Sequence, residues 1–149
     1  MKSRFAVASS FVALAALFGR AAPATGVCQP GEVRQTVVLS VSASEAQLPI
    51  SLVASLTYDP SLVQLPDALR PRLRARANGA MLTPSIQHGA LRLVAGKGGG
   101  LATGPLVDVE FDRCAGARAP TAADFGCRID SCAGSGGALG DCTCSVGLP

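Results

Sequence analysis

The chain has 149 residues, 48% of them hydrophobic and 4% aromatic, with 13 basic against 10 acidic side chains and a formal charge of +3. Lys2, Arg4 and Arg20 supply that entire excess, so from Thr25 onward the charges balance. Neutrality, no Trp and one Tyr argue against a basic nucleic-acid patch and against an aromatic platform for stacking single strands.

Lys2 and Arg4 precede the apolar stretch Phe5–Phe18, which has the length of a signal-peptide core and is too short to span a bilayer. Ala22-Pro23-Ala24 supplies an A-x-A cleavage site, so residues 1–24 read as a signal peptide cut after Ala24. Val27 before Cys28 does not fit a lipoprotein signal, which needs Gly or Ala there. An N-terminal membrane anchor is the competing reading. No later apolar run is long enough to cross a membrane, so no membrane insertion is expected after cleavage.

Residues 25–149 have the size of one domain. They lack a sustained helical period and show short alternating runs separated by Gly, Pro, Asp and Ser, the pattern of an all-β sandwich. After the Pro30-Gly31 turn, Glu32–Ala43 alternates as a strand, with Val33, Gln35, Val37, Leu39 and Val41 on one side. A second strand runs from about Pro49 to Tyr58. Its inward side carries Ile50, Leu52, Ala54, Leu56 and Tyr58; Ser51, Val53, Ser55 and Thr57 face outward. Pro60 has no amide hydrogen and biases Asp59 to an extended geometry, which ends the strand. Leu62–Leu65 is a short strand.

Arg70, Arg72, Arg74 and Arg76 then alternate with Pro71, Leu73 and Ala75. On a strand, all four guanidinium groups project to one side. They make either a charged edge that blocks sheet-to-sheet pairing or a cationic patch for an acidic protein or polysaccharide. Asn78-Gly79 is a turn. His88-Gly89 opens the strand Ala90–Ala95. Gly96–Gly100 is a loop with the wrong glycine and lysine order for phosphate binding. Leu106–Phe111 is another strand, with Val107, Val109 and Phe111 inward and Leu106 opposite in phase. Asp108, Glu110 and Asp112 form its polar side. The expected core includes Val37, Leu39, Leu52, Leu56, Leu93, Val109 and Phe111.

Cys28, Cys114, Cys127, Cys132, Cys142 and Cys144 make an even set in an exported chain, which reads as disulfides. Six cysteines allow fifteen pairings. Chain geometry favours Cys132 with Cys142 across a hairpin loop, Cys114 with Cys127, and Cys28 with Cys144. Zinc at Cys142-Thr143-Cys144 is the alternative, but the spacing is not the usual two-residue gap. No cofactor or metal is expected. Asp130 and Asp141 lack the acidic density of a calcium loop. No catalytic constellation stands out either: His88, the only histidine, sits at a turn with no identified acid or nucleophile.

Four motifs in order resemble the cohesin family: Pro30-Gly31-Glu32, the Leu56-Thr57-Tyr58-Asp59-Pro60-Ser61-Leu62-Val63 corner, Gly89-Ala90-Leu91-Arg92-Leu93, and Gly104–Phe111. They cover about residues 27–146. The resemblance implies a disulfide-stapled jelly-roll sandwich of about nine strands and a secreted, non-catalytic module that binds a dockerin-type protein within polysaccharide-degrading assemblies. A related carbohydrate-binding module, binding polysaccharide directly, is the alternative. Cohesin partner faces often carry Asn and Asp where this chain has Ser51 and Val53. In the cohesin arrangement the Tyr-Asp-Pro strand, the two strands after it and the Gly-Pro-Leu strand share one sheet. That places Val53 and Ser55 beside Arg72, Arg74 and Arg76 as the expected contacts to an acidic partner.

Overall fold

Alternating apolar residues need a second apolar face to cover them, and this chain provides two. A computed structural model describes residues 28–44, 47–87 and 89–149; the expected signal segment 1–24 and His88 lie outside the described residues. The strands are β1 (Pro30–Ser42), β2 (Ser51–Tyr58), β3 (Val63–Gln64), β4 (Leu73–Ala75), β5 (Met81–Gln87), β6 (Ala90–Gly96), β7 (Gly104–Cys114), β8 (Phe125–Gly134), β9 (Gly137–Ala138) and β10 (Thr143–Gly147). One antiparallel sheet has the order β10-β1-β7-β3, with β4 also on β7; the other runs β5-β6-β2-β8-β9. The chain is the expected all-β sandwich, with its strands crossing repeatedly between the two layers.

The core lies between these layers. Val37, Leu39 and Val41 of β1 and Val107, Val109 and Phe111 of β7 meet Leu52, Ala54 and Leu56 of β2 and Leu91, Leu93 and Ala95 of β6. All the expected core residues are buried. Each fully buried Leu, Val or Phe stabilises by roughly 1.5–3 kcal/mol relative to exposure. Tyr58 is only half-buried, and Ile50, immediately before β2, is exposed. Leu106 is buried although it is out of phase with Val107. The register with β1 slips between Leu39↔Val107 and Ser40↔Pro105, and this bulge lets both neighbours turn inward.

The Tyr-Asp-Pro corner carries the chain from one sheet to the other. Asp59 Oδ1 accepts hydrogen bonds from Ser61 N at 2.9 Å and Ser61 Oγ at 2.6 Å, while the Asp59 carbonyl accepts from the amides of Leu62 and Val63. These Ser61 donors hold the Asp59 carboxyl below its ordinary range. Behind the corner, the ring of Phe111 packs between Tyr58 and Phe125, at centroid distances of 5.0 and 5.5 Å.

Three disulfides form, but only Cys132–Cys142 matches the expected pairing. Cys114 bonds to Cys28 because the β1–β7 ladder sets Pro30 opposite Cys114. Cys127 lies on the inward side of β8, opposite Leu56, and bonds to Cys144 of β10 in the other sheet. Cys127–Cys144 and Cys132–Cys142 therefore staple β8 to the β10 end of the chain and close one side of the sandwich. Such bonds fit an oxidising, extracellular environment. Among the described residues, no helix is long and apolar enough to cross a membrane.

The arginine segment departs from a single strand. Pro71 sits in a 3-10 turn, Arg70–Arg72, and only Leu73–Ala75 joins the ladder. The resulting strand β4 lies at the sheet edge beside β7, as the charged-edge reading expected. The sheet assignment differs more. β2 belongs to one sheet, while β3, β4 and β7 belong to the other. The single sheet implied by the cohesin resemblance, uniting the Tyr-Asp-Pro strand with the arginine and Gly-Pro-Leu strands, is not formed.

Candidate binding face

The outer face of β5, β6, β2 and β8 is assembled row by row from outward-pointing residues. One row aligns Gln87, Ala90, Thr57 and Gly126; the next aligns Ser85, Arg92, Ser55 and Arg128. A third places Thr83, Val94, Val53 and Ser131 side by side. Small side chains in the first row leave room above the sheet. The result is an open groove of about 580 Å³, floored by Ser55, Thr57, Ala90 and Gly126 and flanked by Arg92 and Asp130. A Cβ on Gly126 would lie 2.6 Å from Thr57 Oγ1, so any side chain there would force Thr57 to shift.

A bulge in β8 supplies the groove's carboxylate. The register with β2 slips between Val53↔Ser131 and Ala54↔Ile129, leaving Asp130 unpaired in the ladder. Asp130 Oδ2 accepts from Ser55 Oγ at 2.5 Å, and Oδ1 accepts from Arg128 Nε at 2.8 Å. The Ser55 hydroxyl, then Arg128, hold the Asp130 carboxyl below its usual range, with the nearby charge of Arg92 acting in the same direction. Arg92 is less well supplied. Its Nη1 donates to Gln87 Oε1 at 3.3 Å, whereas its buried Nε finds no acceptor among the described residues. Next to this charged row, Val94 is 45% exposed and sits opposite Val53.

Ser55 directed at a carboxylate is not an activated nucleophile. An aspartate held below its usual range and already ion-paired is a poor proton acceptor near neutral pH. What the face can do is donate and accept hydrogen bonds, present a guanidinium that has no ion pair among the described residues, and cover an aliphatic pair. Tyr58, Phe111 and Phe125 are occupied with one another beneath the corner, so among the described residues no aromatic ring lies open for sugar stacking.

The expected contact residues divide between the two sheets. Val53 and Ser55 lie on this face; Arg72, Arg74 and Arg76 lie on the opposite sheet. There the outward carboxylates of β7 answer the arginines. Arg72 Nη1 and Nη2 bond to Asp112 at 2.9 and 3.3 Å, and Nη1 also reaches Glu110 at 3.3 Å. Arg34 bridges the same two carboxylates from β1, at 3.1 Å to Glu110 and 3.0 Å to Asp112. Arg76 Nε contacts both oxygens of Asp108. Arg74, in register with Asp108, is exposed and has no ion pair among the described residues.

Arg92, Arg128, Gln87 and Gly126 had not been singled out from the chain. Arg92 was visible as an outward position of an alternating strand. Arg128 and Gly126 were hidden in the cysteine-rich segment, whose strand is legible only when Phe125, Cys127 and Ile129 are read together as one inward side. Asp130, considered for calcium, is instead bound to Ser55 and Arg128, and Asp141 accepts from the Ser44 amide at 3.0 Å. Compared with family models, curated proteins and solved structures, the chain matches none.

Proposed function

We propose that this chain is an exported, non-catalytic recognition module, cohesin-like in its motif order, that binds a partner protein through the outer face of the β5-β6-β2-β8 sheet. A dockerin-type partner carrying a polysaccharide-degrading enzyme is the interaction this reading favours. The observation that carries it is the contrast between the two outer faces. On the β1–β7 sheet, Arg34, Arg72 and Arg76 are consumed by Asp108, Glu110 and Asp112. On the β2 sheet, Arg92 lines a groove with no ion pair among the described residues, one row away from Val53 and Val94. Arg74, the exposed arginine without an ion pair on the other face, has no such aliphatic pair beside it among the described residues. Rigid strands carrying small residues around an aliphatic centre, with an arginine beside it, have the anatomy of an interface hot spot. Direct binding of polysaccharide is the second reading, favoured by the hydrogen-bonding floor of the groove and disfavoured by the lack of an open aromatic ring.

The test sets retention on insoluble cellulose and chitin beside capture of the host's exported proteins, using the natural chain and Val53→Asp. The protein-binding reading expects a discrete protein captured by the natural chain and lost with Val53→Asp, and no retention on either polysaccharide. Retention on cellulose or chitin that Val53→Asp abolishes would establish the carbohydrate reading. Capture indifferent to Val53→Asp would remove this face from the account.

A further inference from the structure

We infer that Arg92 reads a carboxylate on the partner: the groove takes an acidic segment that places an Asp or Glu on Arg92 and an aliphatic side chain on Val53 and Val94. This rests on the binding-face reading and names the chemistry of what binds there. Two arginines face one carboxylate on this surface, and the pairing is uneven. Asp130 is held by Arg128 through Nε and Nη2, each at 2.8 Å, and by Ser55. Arg92 makes no ion pair among the described residues: its charge is felt by Asp130 only at a distance, it has one long hydrogen bond, and its buried Nε is without an acceptor. Arg92 lines the open groove, and a carboxylate is the ligand that satisfies a guanidinium group best.

Spacing defines the rest of the segment. Arg92 and Val94 are successive outward residues of β6, so their side chains stand about 6.6–6.8 Å apart along the strand. An extended peptide presents its own alternate side chains at the same interval. A carboxylate and an aliphatic residue two positions apart therefore register on Arg92 and on the Val53–Val94 pair together. An acidic glycan would satisfy Arg92 but leave the exposed Val94 and its half-buried neighbour Val53 uncovered, which favours a protein segment.

The test is a nuclear magnetic resonance titration of the 15N-labelled, disulfide-intact protein with three probes. These are acetyl-Gly-Glu-Ser-Leu-Gly-amide, the same peptide with Gln for Glu, and trigalacturonate. The Glu peptide is expected to shift the amides of Ser55, Arg92, Val94 and Gly126, and to bind about tenfold more tightly than the Gln peptide. That preference should vanish in Arg92→Gln. Equal shifts from the Glu and Gln peptides on this face would overturn the carboxylate inference and leave the binding face standing. Shifts confined to the β1–β7 sheet would overturn both. A response to trigalacturonate alone would replace the protein segment with an acidic glycan, and silence towards all three probes would overturn the inference. If Arg92→Gln proves unfolded, the Glu–Gln comparison on the natural chain decides.

Discussion

Replacing Arg72 with Ala should destabilise the fold by about 2–3 kcal/mol, although the residue sits at a sheet edge. Asp112 is 7% exposed, the one charged residue in the buried set among the described residues. Arg72 meets it through two nitrogens, at 2.9 and 3.3 Å, with its own side chain only 15% exposed. Removing one partner of a buried ion pair costs about 3–5 kcal/mol, whereas an exposed pair is worth about 0.2–1 kcal/mol. The Arg72–Asp112 geometry lies near the buried limit, but Arg34 remains at 3.0 Å from Asp112 and tempers the loss. Urea unfolding of Arg72→Ala, Arg74→Ala and Arg34→Ala/Arg72→Ala measures this directly. Arg74→Ala should stay within about 0.5 kcal/mol of the natural chain, and the double variant should fall further than the sum of its parts. An Arg72→Ala protein as stable as the natural one would falsify the assignment of Arg72 to an internal network and restore it as a contact residue. On this reasoning, replacing Arg72, Arg74 and Arg76 together with serine should lower stability by at least the Arg72 loss.

Gly126→Ala should cost about 1–3 kcal/mol in thermal unfolding, because the new Cβ meets Thr57 Oγ1 at 2.6 Å; adding Thr57→Ala should recover most of the loss. Removing Cys28–Cys114, with a sequence separation of 86, should cost about 4–5 kcal/mol, against about 3 kcal/mol for Cys127–Cys144 with 17. Denaturant unfolding of the paired Cys→Ala variants checks that order. Asp124 is hydrogen-bonded to Arg118 and to the Thr121 amide, which hold its carboxyl far below the ordinary value of 3.8. A depressed folded-state pKa gives stability that is present above the unfolded value and is lost as pH falls towards the folded one. The natural chain should therefore lose more stability than Asp124→Asn in an acid titration below pH 3.8, and parallel curves would contradict the role of this clamp.

Where apolar residues alternate without interruption, the inward side is legible: β1, β2, β6 and β7 place their expected core residues as periodicity requires. Periodicity does not reveal β5, β8 or β10, each for an identifiable reason, and β9 is only two residues long. Pro84 interrupts β5, and an edge strand tolerates a residue that cannot donate to the ladder. In β8 the inward side includes two cysteines, and the bulge at Asp130 shifts the period midway. β10 is short, and β1 and the disulfides hold it. Periodicity tells which face a residue takes but not which sheet holds the strand. Val53 and Ser55 were therefore identifiable as outward, while their neighbours were not. Arg92 and Arg128 reach Ser55 through strands distant in sequence. The arginines at 72, 74 and 76 had partners waiting in Asp108, Glu110 and Asp112, two alternating runs of opposite charge whose pairing depends on the β4–β7 contact. Pairing of the cysteines likewise follows from the sheet assignment, which is why, of the three pairs expected, only Cys132–Cys142 across its own hairpin matches.

The claim that the β5-β6-β2-β8 face receives the partner is tested most directly by placing a photo-activated cross-linker at Thr83, exposed on that face, and at Arg74, exposed on the opposite sheet. Both variants are irradiated among the host's exported proteins and the adducts weighed. The account predicts a discrete protein adduct from position 83, abolished by Val53→Asp in the same chain, and none from position 74. An adduct from position 74 with none from position 83 would contradict it.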